Sequence, residues 1–429
     1  MNPEIERTTL SKIKSFQEEK LKELLEYVVE NSPYYQKVFK EYGVAPKAIN
    51  SLEDLIKIPV TTKEHLQANN DDFLCVPKAQ IIDYVTTSGT MGEPVTFALT
   101  DKDLERLAYN EALSFACAGV TSSDILQLTT TMDRRFMAGL AYFLGARKLG
   151  AGIIRVGVGI PELQWDTIQK FNPTYLIVVP SFLLKLIEYA KQQGIDLKSS
   201  GVKGAICIGE PLRDQDFSLN ILGQKIRSDW DLQLYSTYAS TEMSTAFTEC
   251  TEQRGGHHHP ELIIVEVLDD RNLPVPAGEV GELTITTLGV EAMPLVRFKT
   301  GDMVKAHTEP CACGRNTLRL GPVLGRRKQM IKYKGTTLYP PAMDNVLNDF
   351  MEVESFVIEI YHNEIGTDEI LLKIACHEPS EILLQNINDH FRSKLRVTPK
   401  IEFHDSKEIQ KLKLSKLGRK PVTVIDRRN

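Results

Sequence analysis

The feature that most constrains this chain is a set of short apolar runs between residues 150 and 210. Gly152-Ile153-Ile154-Arg155-Val156, Thr174-Tyr175-Leu176-Ile177-Val178-Val179 and Val202-Lys203-Gly204-Ala205-Ile206-Cys207-Ile208 are each too short for a helix. An amphipathic stretch beginning Phe182-Leu183-Leu184 lies between the second and third, with Ser181 placed to cap it and Gly194 to stop it. Continuous apolar runs alternating with helices predict strands covered on both faces, and so a largely parallel sheet of α/β type.

A chain of 429 residues exceeds one compact core, so more than one domain is expected. Phe16, Leu21, Leu24, Leu25 and Val28 recur at helical spacing, and Asn31-Ser32-Pro33 ends that helix. Residues 260–306 alternate strands with Pro/Gly turns, as a small β subdomain would. Later, Pro340-Pro341 opens a helix, strands follow at 356–361 and 369–375, a helix near 380–395 and a strand at 401–403. The expected fold is therefore an α/β N-terminal domain over 1–327, with mixed, partly parallel sheets, and a small α+β domain over 328–429.

Lys plus Arg total 51 against 57 Asp plus Glu, a net charge of -6, which argues against a nucleic-acid-binding surface. The start of the chain is polar and acidic, and no apolar run is long enough for a leader or a membrane span. The seven cysteines are odd in number and mostly isolated, which predicts a reduced, cytoplasmic protein.

After an apolar stretch comes Tyr84-Val85-Thr86-Thr87-Ser88-Gly89-Thr90-Met91-Gly92-Glu93-Pro94. Such a loop can offer backbone N–H groups and hydroxyls to phosphate oxygens, and it lacks the Gly-Lys-Ser/Thr ending of a Walker A loop. It resembles the phosphate-binding loop of the adenylate-forming superfamily. Within that superfamily the chain is most similar to the phenylacetate–CoA ligase family. Asn31-Ser32-Pro33-Tyr34-Tyr35 and the stretch from Leu52 to Lys63 resemble the family's N-terminal signature. Where the family loop carries a lysine, this chain has Glu93 and Val95, so the grip on phosphate is expected from Thr87, Ser88, Thr90 and amides around Gly89 and Gly92.

The resemblance extends along nearly the whole chain, in the family's order. Gly209-Glu210-Pro211 resembles the adenine-edge loop. Tyr238-Ala239-Ser240-Thr241-Glu242 resembles the aromatic–small–Thr–Glu segment, which implies Tyr238 on adenine, Thr241 on the α-phosphate and Glu242 on Mg²⁺. Asp302 would take the ribose hydroxyls, and Arg326 the ribose or phosphate. Lys328 falls at the hinge between the large domain and a mobile C-terminal one. Lys420 is implied as the catalytic lysine, although Arg419 and Thr423 depart from the pattern and Lys416 competes with it.

Cys250, His257 and the turn Cys311-Ala312-Cys313 supply a four-ligand set suited to structural Zn²⁺, with His258 and His259 as alternative ligands. Phe136, Ala138, Gly139 and Ala239 are candidates for the acyl pocket. The resemblance implies ATP-dependent activation of a carboxylic acid, aryl and phenylacetate-like, as acyl-AMP, then transfer to coenzyme A, in a cleft between the domains. A carrier-protein thiol as acceptor, or a catalytically weak nucleotide-binding homologue, are the alternatives. No nucleic-acid or membrane partner is expected, and a homodimer is left open.

Overall fold

The computed structural model of the protein describes residues 3–87, 94–333, 336–364, 367–413 and 422–428. They divide into two compact units. The first holds residues up to 87, 94–300 and 304–322, and the second holds 301–303 and the chain from 323 onward.

The first unit is built on one long sheet. Its path runs from Ile263–Leu268 through Val280–Thr287, Phe298–His307, Arg319–Leu320, Gly256–His257, Thr245–Glu249, Gln233–Ser240, Gly204–Ile208, Tyr175–Val178 and Ile125–Leu128 to Gly152–Arg155. The last five of these are parallel to one another. The three apolar runs of the sequence supply three of them, and in the two central ones alternate residues have separate cores to enter. Leu176, Val178, Ala205, Cys207 and Leu234 pack with Trp165, Leu183, Leu186 and Trp230. Ile177, Ile206, Ile208 and Tyr235 pack with Phe115, Leu126 and Tyr142. A strand buried on both faces has no position for a polar side chain, which is why Tyr175–Val178 and Gly204–Ile208 are unbroken, whereas Gly152–Arg155 lies at the sheet edge, exposed or half-buried.

Two local expectations resolve differently. Ser32 both follows the helix Leu10–Asn31 and caps the helix Pro33–Glu41, accepting from Tyr35 N, so the break is one residue wide. Ser181 does not cap its helix. The helix begins at Pro180 with Val179 at the cap position, and the Glu210 carboxylate accepts instead from Ser181 N and Oγ, both at 2.8 Å. A carboxylate near the first turn also opposes the positive end of the helix dipole.

The second unit carries a four-stranded sheet in the order Lys400–His404, Asp368–Cys376, Val353–His362, Val424–Asp426. The central pair is antiparallel and the outer strands join it in parallel. Ile358, Ile360, Ile370, Leu372 and Ile374 bury one face against Leu383, Ile387 and Phe391 of the helix Glu381–Leu395. Among the described residues, no helix is long and apolar enough to cross a membrane.

Candidate active site and a buried Cys/His cluster

In parallel sheets, ligand sites gather beyond the carboxyl ends of the strands. Gly209–Pro211 and Thr241–Ser244 both leave that edge, from neighbouring strands paired through Ile208 and Thr237. Gly209 has φ +76, and open space lies where a side chain would begin. Pro211 O accepts from Asn220 Nδ2 at 3.0 Å. With Glu210 occupied on Ser181, this loop offers a ligand its backbone rather than its carboxylate.

Thr241–Ser244 is the four-residue turn of a hairpin in which Ser240 faces Thr245. Met243 is buried at the centre, Met243 N donates to Ser240 Oγ, and Ser244 closes the turn at φ +47 with its N–H on Thr241 O. This anchoring leaves Thr241 and Glu242 half-buried at the rim, and Tyr238 tilted on Phe247 with centroids 6.1 Å apart. Ala239 is exposed on the same strand.

The phosphate loop is described only at its base. The strands Asp83–Thr86 and Thr96–Leu99 pair, then Thr87 N donates to Val95 O and Val95 N to Thr87 Oγ1, both at 3.0 Å. The Thr87 oxygen therefore closes the loop, which leaves its hydroxyl hydrogen to donate. Ser88, Gly89, Thr90, Gly92 and Glu93 lie outside the described residues, as do Lys416, Arg419 and Lys420. Thr423 is described, its carbonyl accepting from Ile358 N.

In the second unit Asp302 pairs with Arg326 in antiparallel register, with Arg326 Nε 3.5 Å from the Asp302 carboxylate. Lys328 is exposed in a tight turn, and Arg428 donates to Lys328 O and Met330 O at 3.2 and 2.7 Å. Of the acyl-pocket candidates, Phe136, Ala138 and Gly139 lie at the start of the helix Met137–Leu149. Gly139 packs on backbone: a Cβ there would sit 2.0 Å from Thr131 O, so the helix tolerates no side chain at this point.

Cys250, His257, Cys311 and Cys313 converge, with their ligand atoms all within 4.8 Å of one another. Cys250 Sγ lies 3.7 Å from Cys311 Sγ, and Cys313 Sγ lies 3.5 Å from His257 Nε2. A tetrahedral metal with sulfur ligands at the usual zinc distance needs an edge of roughly 3.8 Å. His257 Nδ1 is held by Thr317 Oγ1 at 3.0 Å, which aims Nε2 into the cluster. Burial, helped by Arg315, pushes the His257 pKa down to about 3, so the ring is neutral and its lone pair available.

His258 and His259 are turned to other tasks. His258 Nε2 meets Ile263 O at 2.6 Å, and His259 Nδ1 meets Glu6 at 2.5 Å. Glu6 also accepts from Arg315 Nε at 2.7 Å. Burial opposes the ionisation of Glu6, but His259 and Arg315 outweigh it and hold the carboxyl down at about 2. Nothing in the polar start of the chain marks Glu6 as a partner of a turn 309 residues away. The buried pair Arg213–Glu249, at 2.8 Å, was equally illegible; Glu249 also accepts from Ser236 N and so braces the strand that carries Tyr238.

Comparison with known proteins decides what this arrangement belongs to. The sequence pattern of the family described as AMP-binding enzyme matches residues 21–292. The phenylacetate-coenzyme A ligase of Thermus thermophilus is 33% identical over 382 residues, covering 88% of this chain and 84% of that protein. The chain belongs to the AMP-binding enzyme family, in its phenylacetate–CoA ligase branch. Its Escherichia coli relative of the same name is 28% identical over 388 residues, covering 88% of this chain and 85% of that protein. In fold, this AMP-binding enzyme is similar to a 2-hydroxyisobutyryl-CoA ligase solved in the postadenylation state with an acyl-AMP. The TM-score is 0.84 at 24% identity, over 99% of this chain and 92% of that one. As a family member, the protein is an AMP-forming acyl-CoA ligase that works through an acyl-adenylate.

Proposed function

We propose that the acid is an aryl acid of the phenylacetate type, and that the adenylate forms beside the Thr241–Ser244 turn. The observation that carries this reading is the turn itself. Thr241 and Glu242 are raised to the rim by a buried Met243 and flanked by Tyr238 and the Gly209–Pro211 backbone. The names of the curated relatives support the acid class.

In the first half-reaction an oxygen of the substrate carboxylate attacks the α-phosphorus of ATP, and pyrophosphate leaves with the electrons of the broken bond. Tyr238 offers a face to adenine, and the Gly209–Pro211 backbone its edge. Asp302 can accept from two ribose hydroxyls, with Arg326 beside it. Thr241 donates to the α-phosphate, and the Thr87 hydroxyl to the departing phosphates. Glu242 has the donor chemistry for Mg²⁺, an oxygen-only carboxylate that no cation pairs with among the described residues. When bound, the ion would neutralise triphosphate charge. Lys420 contributes an ammonium between the carboxylate and phosphate oxygens. In the second half-reaction the thiol sulfur of coenzyme A attacks the acyl carbon and AMP leaves. Lys328 is the hinge whose backbone rotates between the two steps. Zn²⁺ would be held by Cys250, His257, Cys311 and Cys313. Three thiolates and a neutral imidazole close the shell, so the ion stabilises the fold and leaves no position for substrate.

The test is acid-dependent exchange of pyrophosphate into ATP across aryl, alkyl and hydroxy acids, with acyl transfer from synthetic adenylate followed separately. Phenylacetate-like acids are expected to give the highest kcat/KM. Lys420→Ala should slow exchange by ~10²-fold, the scale of losing one preorganised donor, and spare transfer. Lys328→Pro should do the reverse, because proline fixes φ. Preference for a short aliphatic acid would remove the substrate assignment; wild-type exchange by Lys420→Ala would move the catalytic role to Lys416.

A further inference from the structure

The helix Asp101–Cys117 buries a polar stripe. Asp103, Arg106 and Asn110 stand three and four residues apart, on one face, and are 3%, 5% and 1% exposed. This inverts the usual rule that the inward face of a helix is apolar. Each of the three residues reaches the backbone of a distant segment. The Asp103 carboxylate accepts from Glu291 N and Ala292 N, at 2.7 and 3.0 Å. Asn110 Oδ1 accepts from Ala246 N at 3.0 Å.

Arg106 does the most. Its Nε donates to Leu288 O at 2.7 Å and its Nη1 to Ser244 O at 2.6 Å. Its Nη2 donates to Thr245 Oγ1 at 3.1 Å and Leu262 O at 2.5 Å. Its contacts are with backbone carbonyls and a hydroxyl rather than a carboxylate. Burial lowers its pKa to about 10, against the pull of Asp103, so it remains a cation at neutral pH. A buried cation without a bound carboxylate is expensive, and an apolar side chain would pack there at less cost. What the guanidinium supplies is a rigid fork that fixes three chain segments at once, which neither lysine nor an apolar residue can do.

Two of its four bonds fall on Ser244 and Thr245, and Asn110 adds one on Ala246. Those residues lead out of the turn that presents Thr241 and Glu242. Ser244 holds φ +47, a left-handed conformation that a non-glycine residue keeps only when its surroundings over-determine it. Rotation at Ser244 would swing Glu242, two residues upstream. We propose that Arg106 is a positioning residue for adenylation: by clamping the backbone that leaves the Thr241–Ser244 turn, it sets the direction of the Glu242 carboxylate. This rests on the assignment of Glu242 to Mg²⁺.

The experiment is a double-mutant cycle in the full chain, read as single-turnover pyrophosphate release against Mg²⁺ concentration. Arg106→Lys is expected to stay folded by circular dichroism, to raise half-saturating Mg²⁺ about fivefold to tenfold and to slow release about tenfold. Acyl transfer from synthetic adenylate should change less than about twofold. In a Glu242→Gln background, Arg106→Lys should add nothing, because the group it positions is gone. If Arg106→Lys does not fold, Asn110→Ser removes one bond of the same clamp and should raise the Mg²⁺ requirement about twofold to threefold. A folded Arg106→Lys with a wild-type Mg²⁺ response overturns the inference, and so do effects that multiply in the double mutant. For Asn110→Ser, an unchanged Mg²⁺ requirement does the same. If Glu242→Gln alone releases pyrophosphate at the wild-type rate, the Glu242 assignment fails first and takes the inference with it.

Discussion

The strand Thr245–Glu249 ends in two very different ways. Before it, the Thr241–Ser244 turn holds its backbone tightly but leaves two polar side chains at the rim. After it, Cys250 enters a cluster where three of four ligands are buried and the histidine's second nitrogen is already taken by Thr317. Five residues separate the two ends, roughly 17 Å of extended chain. The same strand thus joins an end that presents polar side chains to an end that encloses them. On the proposed reading, closure around the donors, rather than the kinds of donor, would separate a structural site from a reactive one.

The largest expected effect is at the open end. Glu242→Gln keeps the shape and removes the charge, so pyrophosphate release should fall by ~10²–10³-fold while the melting temperature stays within about 2 °C of wild type. A variant that melts far lower would mean that the open end is structural after all. At the closed end the pattern should invert. Cys311→Ser should lose most of one bound zinc per chain and cost about 4 kcal/mol of unfolding free energy. The molecules that remain folded should exchange pyrophosphate within about threefold of wild type. Elemental analysis and urea unfolding check both parts, and full zinc retention would show that the cluster is not the metal's site.

The smallest effect tests the helix that braces both ends. That helix touches the strand through Asn110 on Ala246 and through Cys117 Sγ, 3.4 Å from Thr248 O. Between them Glu111 is fully buried beside the Asn110 amide, and burial raises its pKa from 4.5 to about 8, only partly offset by that hydrogen bond. The folded chain therefore keeps a proton that the unfolded chain releases. Stability from this group is complete below pH 4.5 and is lost as pH rises towards 8. Glu111→Gln should remove that loss. Between pH 6 and 8 the variant should gain about 2 kcal/mol on wild type, measured by urea unfolding at each pH. Parallel pH profiles for the two proteins would place a cation beside Glu111 that the packing does not show.

What the sequence made legible follows from range. Two of the three apolar strands, Tyr175–Val178 and Gly204–Ile208, announced a parallel sheet because burial on both faces leaves a local mark; Gly152–Arg155 at the edge does not owe its apolar run to burial. The cysteines and a histidine could be grouped because such residues carry recognisable metal-binding chemistry even when 61 residues separate Cys250 from Cys311. The choice among the three histidines was not legible, since it depends on Thr317, Ile263 and Glu6 arriving from elsewhere. Ser181 looked like a cap by local rules and lost that role to Glu210, a residue on the next strand's loop. Arg106 left no mark at all: within its helix it reads as one more charged residue, and only the fold reveals that it points inward.

The bond between Arg315 and Glu6 has a consequence for how the chain is made. Glu6 leaves the ribosome 309 residues before its partner. At ordinary synthesis rates it waits roughly 15–60 s, far longer than a helix takes to form. During that wait the helix Leu10–Asn31 can already meet Pro33–Glu41 and Leu52–Lys57, but its buried Gln17 still lacks Pro260 O and Ile263 O. The segment around Glu6 is therefore among the last to be fastened, and until the cysteine turn has left the ribosome its carboxylate does not have both His259 and Arg315 to hold it.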